Sequence, residues 1–189
     1  MRKRRYFEYL YKFEEESKKY LIEVSLDDYN DVYDDWDPSP FKKRDIEDEF
    51  NDFVLNSTED IPLNLKIAIV LYLPTQIKDT KKEIALISAY QNYYEYGLAR
   101  LEKEITNLHK KIASYFILSI LFLSIGYFFG GADSNVLLKV FHEGILIGGW
   151  VFLWEFFTSI FILRRELQEK FKLFKRLYES EIRFIYKEV

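Results

Sequence analysis

Two groups of residues in this chain have the type and spacing for chemistry. The first is one carboxylate, Glu155, inside the run "GILIGGWVFLWEFFTSIFIL" (144–163), which holds no other ionisable residue. A carboxyl inside a membrane is costly, faces protein or water, and marks a functional site by default. The second is the segment "SLDDYNDVYDDWDPSPF", with aspartates at 27, 28, 31, 34, 35 and 37. Clustered carboxylate oxygens suit a hard cation, and Asp31, Asp34, Asp35 and Asp37 form a candidate cation-binding loop. The EF-hand spacing and its glycine are absent, so a solvated acidic loop is the favoured reading and no metal ligand set is assigned. Asp37-Pro38-Ser39-Pro40 reads as a rigid turn leading into a helix expected around 44–56.

Other catalytic groupings are missing from the sequence. There is no cysteine, hence no disulfide or thiolate chemistry. All seven glycines lie at or after Gly97, so no glycine-rich phosphate loop precedes it. Neither GxSxG nor HExxH occurs, and His109 and His142 flank the first of two apolar runs, on opposite sides of a membrane if that run crosses one. The expectation is a non-enzymatic protein without a cofactor.

The elements that must position Glu155 are these two apolar runs. "IASYFILSILFLSIGYFF" (112–129) has no charge, and 144–163 has twelve Ile, Leu, Val and Phe. About 20 apolar residues cross a hydrocarbon core of about 30 Å. At about −0.3 to −0.6 kcal/mol each, the twelve offset a central charge costing about 2.5–3.5 kcal/mol. Basic residues flank the pair on its outer ends: Arg100, Lys103, Lys110 and Lys111 before it, and Arg164, Arg165, Lys170, Lys172, Lys175 and Arg176 after it. The connection holds only Lys139. The positive-inside rule then predicts both termini in the cytoplasm and the short connection outside, and the membrane expected is the inner one. The basic start "MRKRRYFEYLYKFEEE" lacks an apolar core, so no signal peptide is read there.

Outside the apolar runs, alternation predicts strands. Phe7, Tyr9, Tyr11 and Phe13 share one face, "EEESKK" reads as a turn, and Tyr20, Ile22, Val24 and Leu26 share the next face. "LKIAIVLYLP" (65–74) and "EIRFIY" (181–186) alternate likewise, while Ile46, Phe50, Phe53 and Val54 fit one helix face. The fold class expected is an α+β membrane protein: a small cytoplasmic α/β sandwich of three to four strands and one helix, joined by long helices to a two-helix transmembrane hairpin. In numbers, 1–78 and 180–189 form the α+β domain, 79–111 and 164–179 a helical stalk, 112–130 the first span, 131–143 an external loop and 144–163 the second span. Tyr94, Leu98, Leu101, Ile105, Leu108 and Ile112 follow heptad steps, and Leu163, Leu167, Phe171, Phe174 and Tyr178 make a second stripe. The two stripes are expected to pack on each other.

A net charge of −4 and a pI near 5.4 argue against a nucleic-acid partner. The partners expected are the lipid bilayer, further copies of the chain and an unidentified cytoplasmic protein. The segments "DPSPFKKRDIEDEF" (37–50) and "EGILIGGWVFLWE" (143–155) resemble an uncharacterised family of bacterial membrane proteins with two transmembrane helices. The resemblance extends from about residue 20 to 186. Members place a basic residue and a proline after the second tryptophan, where this chain has Glu155 and Phe156. The resemblance implies the two-span architecture and assigns no functional residue.

Within the spans, Gly144, Gly148, Glu155 and Ser159 share one stripe, and Ser119, Gly126 and Gly130 another. Gly126/Gly130 and Gly144/Gly148 are small-xxx-small pairs that suit close helix packing. At about 100° per residue, the stripe from Leu167 to Tyr178 lies about 100–160° from Glu155 on a straight helix. Glu155 is then expected at a subunit contact or beside a path. Two functions follow: an oligomeric membrane anchor or interaction module, or a small homo-oligomeric channel or pore-forming effector with Glu155 and Ser159 near the conduction path.

Overall fold

The computed structural model describes residues 6–34, 45–129 and 135–188. They form two compact units, one from 1–99 with 171–189, the other from 100–170.

The first unit is built on a four-stranded mixed sheet in the order β1-β2-β3-β4: β1 Lys12–Glu14, β2 Lys19–Ser25, β3 Lys66–Pro74 and β4 Glu181–Lys187. β1 pairs antiparallel with β2 across a turn in which Lys18 takes φ 54°. β2 and β3 run parallel with Ile22 opposite Ile69, and β3 and β4 run parallel with Ile69 opposite Ile182. Each parallel connection needs a crossover. The first contains helix α2, Asp48–Asp60, and the second contains every long helix of the chain: α3 Thr80–Phe129, α4 Val136–Thr158 and α5 Arg164–Tyr178.

The alternating positions do what the sequence pattern requires. Ile22 on β2 and Ile67, Ile69, Leu71 and Leu73 on β3 are buried, with Phe184 and Tyr186 of β4 packed against them. Phe50 and Val54 of α2 join this core, as do Leu86, Ala89, Tyr90 and Tyr94 near the start of α3 and Leu177 at the end of α5. α2 starts where Glu47 accepts from the Phe50 amide (2.9 Å), which meets a free donor of the first turn.

In this unit three sequence expectations need correction. The alternating run from Phe7 does not form one strand: Phe7–Leu10 is a single helical turn, α1, and β1 starts only at Lys12. Phe7 is buried in the core and Tyr11 packs against it, while Tyr9 and Phe13 are exposed, so the alternation does not mark one continuous sheet face. Phe53 is exposed and Ile46 lies before α2, bridging to Tyr33, so the core face of α2 is Phe50, Val54, Ser57 and Thr58. In the last helix the buried side chains are Leu173 and Leu177 and Tyr178 is exposed, while Phe174 of the expected stripe does pack on Tyr94, their rings 5.5 Å apart.

The opposite sheet face is polar around a narrow apolar strip of Leu21, Ala68 and Val70. Arg183 bridges Glu14 (2.6 Å) and Glu181 (2.9 Å), and Lys19 reaches Glu181 at 2.5 Å, tying β1, β2 and β4 together. Hydrogen bonds from Arg183, foremost, and Lys19 pull the Glu181 carboxyl down to about 2.

The second unit contains most of the apolar sequence. α3 is one continuous helix of fifty residues, about 75 Å long at 1.5 Å per residue. Asp79 opens it by accepting from the Lys81 amide (2.8 Å). After α4, a π-helical turn covers Ser159–Leu163 and leads directly into α5. Asn135 caps α4 by accepting from the Leu137 amide (3.0 Å), so residues 136–143, expected as loop, are helical. Both long helical runs are apolar enough to cross a membrane, and only 11% of each apolar window is buried. A core helix of a soluble protein would be mostly buried.

Candidate functional site

α3 and α4 pack along a seam inside residues 100–170. The rings of Phe116 and Phe156 lie 5.0 Å apart, those of Phe122 and Phe152 5.3 Å, and those of Tyr115 and Phe152 6.4 Å. Two glycines allow this closeness. A Cβ on Gly126 would collide with Leu146, and one on Gly149 would stand 3.0 Å from the Leu123 backbone nitrogen. A Cβ on Gly148 would meet Phe122 at 3.2 Å, and one on Gly144 would meet nothing within 4 Å. Of the small residues singled out in the sequence, Gly126 lines the seam, Gly148 borders it, Gly144 is open, and Gly130 lies outside the described residues. Gly149 is the one that sequence reasoning missed. The signal was present in the doublet Gly148-Gly149, of which the small-xxx-small pattern selected the first member.

Ser119 and Ser159 are both buried, at 0% and 1% exposure. The Ser119 hydroxyl donates to the Phe116 carbonyl (2.8 Å) and so is satisfied within its own helix. Ser159 opens the π-helical turn. Such a turn inserts one extra residue. Helical phase therefore does not carry over from Glu155 to Leu167 and beyond, and the straight-helix extrapolation does not hold.

The seam itself locates Glu155. Gly149, Phe152 and Phe156 face α3, and Glu155 stands one residue, about 100°, from Phe156. It lies on the flank of the seam, half-buried, on the side that also carries open Gly144 and half-buried Gly148. Among the described residues its side chain makes no hydrogen bond or ion pair. The tryptophans of the span, Trp150 and Trp154, are exposed, as are Ile147, Val151 and Phe161.

No family model, curated protein or solved structure matches this chain.

In the acidic segment, Asp28 and Asp31 form a capping box around the short 3₁₀ helix Tyr29–Val32. The Asp31 carboxylate accepts from the amides of Asp27 (2.8 Å) and Asp28 (2.9 Å). Asp34 lies at the edge of the described segment, and Asp35 and Asp37 fall outside the described residues. No group of three or more acidic or histidine side chains converges among the described residues.

The first unit's polar groups work as fasteners. Arg176 donates to the carbonyls of Thr58 (3.1 Å), Ile61 (2.8 Å) and Leu65 (2.6 Å), closing the C-terminal end of α2. Burial pulls this guanidinium down to about 10, still cationic at neutral pH. A hollow of about 430 Å³ beside it is lined by Lys19, Lys66 and Lys172. Helix C-termini carry partial negative charge, so Lys175 and Arg176 in the last turn of α5 have a structural cause. Tyr29 and Tyr186 share a hydrogen bond (2.7 Å), and Tyr186 also donates to Glu83, which joins the end of β4 to the start of α3. Burial, foremost, raises the Tyr186 hydroxyl, so it serves as a donor and not as a base.

Proposed function

We propose that this protein is a non-enzymatic, two-pass inner-membrane protein that assembles into a homo-oligomer and presents its four-stranded unit to a cytoplasmic protein partner. The observation that carries the oligomer is the flank of α4: a carboxylate without a partner inside an apolar window, beside the open Gly144 and half-buried Gly148. A second chain on that flank would bury the carboxyl and let the helices approach closely. The pairing of β3 with β4 supports an even number of crossings. An odd number would leave these two strands, joined in register from Ala68–Glu181 to Pro74–Lys187, on opposite sides of the bilayer. The basic flanks support the cytoplasmic side for both termini.

Native mass spectrometry of the full chain in mild detergent tests the assembly. We expect a discrete oligomer that Glu155→Leu weakens; a monomer across all mild detergents overturns it. The alternative is a homo-oligomeric channel with Glu155 near the path, favoured by that same unpartnered carboxylate. Ion flux in liposomes separates the two. Conduction altered by Glu155→Gln supports the channel, and silence of both proteins under every gating condition supports the anchor.

A further inference from the structure

Where the apolar windows of the two long helical runs meet their charged extensions, α3 and the start of α5 enclose a cleft of about 740 Å³. Its volume falls within the range of small-ligand sites, about 300–1,000 Å³. Leu108, Leu163 and Leu167 make its apolar wall. Lys110, Lys111 and Lys170 stand around it, and none of the three forms an ion pair among the described residues. Of the two acids that also line it, Glu104 is engaged by Arg100 at 3.4 Å, which leaves Glu166 as the single unengaged carboxylate. The cleft therefore combines an apolar wall with an excess of cations. Lys110 and Lys111 directly precede residue 112, where the first apolar run begins, and Leu163 ends the second.

We infer that this cleft seats an anionic phospholipid, its phosphate held by Lys110, Lys111 and Lys170 and an acyl chain laid along Leu108, Leu163 and Leu167. The inference rests on the two-pass membrane reading. Basic sites between spans on the cytoplasmic side attract anionic headgroups, each lysine near the surface contributing attraction. A soluble anion would satisfy the lysines and leave exposed Leu163 and half-buried Leu167 uncovered, whereas a zwitterionic lipid would cover them and leave net positive charge unmatched. An anionic phospholipid does both.

The test is native mass spectrometry of the full chain, purified in mild detergent and titrated with phosphatidylglycerol, phosphatidylcholine or glycerol phosphate. We expect one phosphatidylglycerol per chain to be retained at least fivefold more than phosphatidylcholine, with glycerol phosphate not competing. The triple variant Lys110→Ala, Lys111→Ala, Lys170→Ala should lose that preference. The matched triple Lys→Arg should keep it, as should Lys172→Ala with Lys175→Ala. Equal retention of the two lipids, competition by glycerol phosphate, or a preference that survives the triple alanine variant overturns the lipid seat. Carbonate extraction of cell membranes, run in parallel, reads the membrane placement separately. A chain released by carbonate overturns both, while an integral chain without lipid preference overturns the seat alone.

Discussion

Arg176 shows how much one residue can do without announcing itself. In the sequence it is one of ten basic residues that flank the apolar runs and is counted for orientation. In the fold its guanidinium supplies three hydrogen bonds to the carbonyls of Thr58, Ile61 and Leu65, at and beyond the last turn of α2. Hydrogen bonds to a charged group contribute about 1.5–3 kcal/mol each when the alternative is a buried carbonyl left unpaired. Relief of the guanidinium's own burial offsets part of that sum. We predict that Arg176→Met destabilises the chain by about 2–3 kcal/mol, seen as a fall of about 5–10 °C in thermal melting. Arg176→Lys should recover only part, because an ammonium cannot span three carbonyls as a fork does. An unchanged melting point in Arg176→Met would refute the fastening role. Nothing local in "KLFKRLYES" separates Arg176 from Lys175, since the difference lies in which carbonyls the fold brings near. Glu155 is the opposite case: its oddity is legible in sequence because every neighbour from Gly144 to Leu163 is uncharged.

At the scale of elements, periodicity read the long pieces well and the short ones poorly. β2, β3 and β4 emerged from alternation because one sheet face is buried along their length. The run from Phe7 to Phe13 alternates too, yet its first four residues close a helical turn through the Tyr11 amide to the Phe7 carbonyl (3.0 Å). A segment that short is decided by its tertiary contacts, which alternation does not record. The apolar helices were legible by composition, but the face each presents was not. Two glycine patterns overlap in "EGILIGG", and only packing against Leu123 tells which one meets α3. Gly149→Leu should therefore disrupt the α3–α4 pairing, because a Cβ there meets the Leu123 side chain at 2.8 Å and, behind it, the Leu123 backbone nitrogen at 3.0 Å, which cannot rotate aside. Gly144→Leu should leave the pairing intact and, if the proposed oligomer forms, weaken that instead, since its own hairpin offers nothing within 4 Å. The facing rings of Phe122 and Phe152, 5.3 Å apart, mark where to measure the pairing. Crosslinking with a short bifunctional thiol reagent in a Phe122→Cys, Phe152→Cys background, scored with native mass spectrometry of the same variants, reads the two effects apart. Loss of pairing in Gly144→Leu, or full pairing in Gly149→Leu, would contradict this assignment of faces.

The whole molecule is a small sheet whose second crossover contains a hairpin apolar enough to span a membrane. β3 and β4 are neighbours in space, and 106 residues, 75–180, separate them in sequence. Hydropathy makes the hairpin legible and alternation makes the strands legible, but neither states that β4 returns to pair with β3 in parallel. Strand order depends on contacts far apart in the chain, and closing so long a loop has an entropic cost that grows slowly with length. The order of synthesis follows from this connectivity: β4 is made after both apolar helices, so the sheet stays incomplete until they have been synthesised. β3 is a central strand, with Ile69 and Leu71 fully buried, and β4 supplies Ile182, Phe184 and Tyr186 to the core. Removing 181–189 should therefore expose β3 without touching the apolar runs. We predict that this truncated chain still resists carbonate extraction, while limited proteolysis newly cuts between Lys66 and Pro74. If β3 remains protected, the sheet unit closes without β4, and the pairing of β3 with β4 loses its value as support for an even number of crossings.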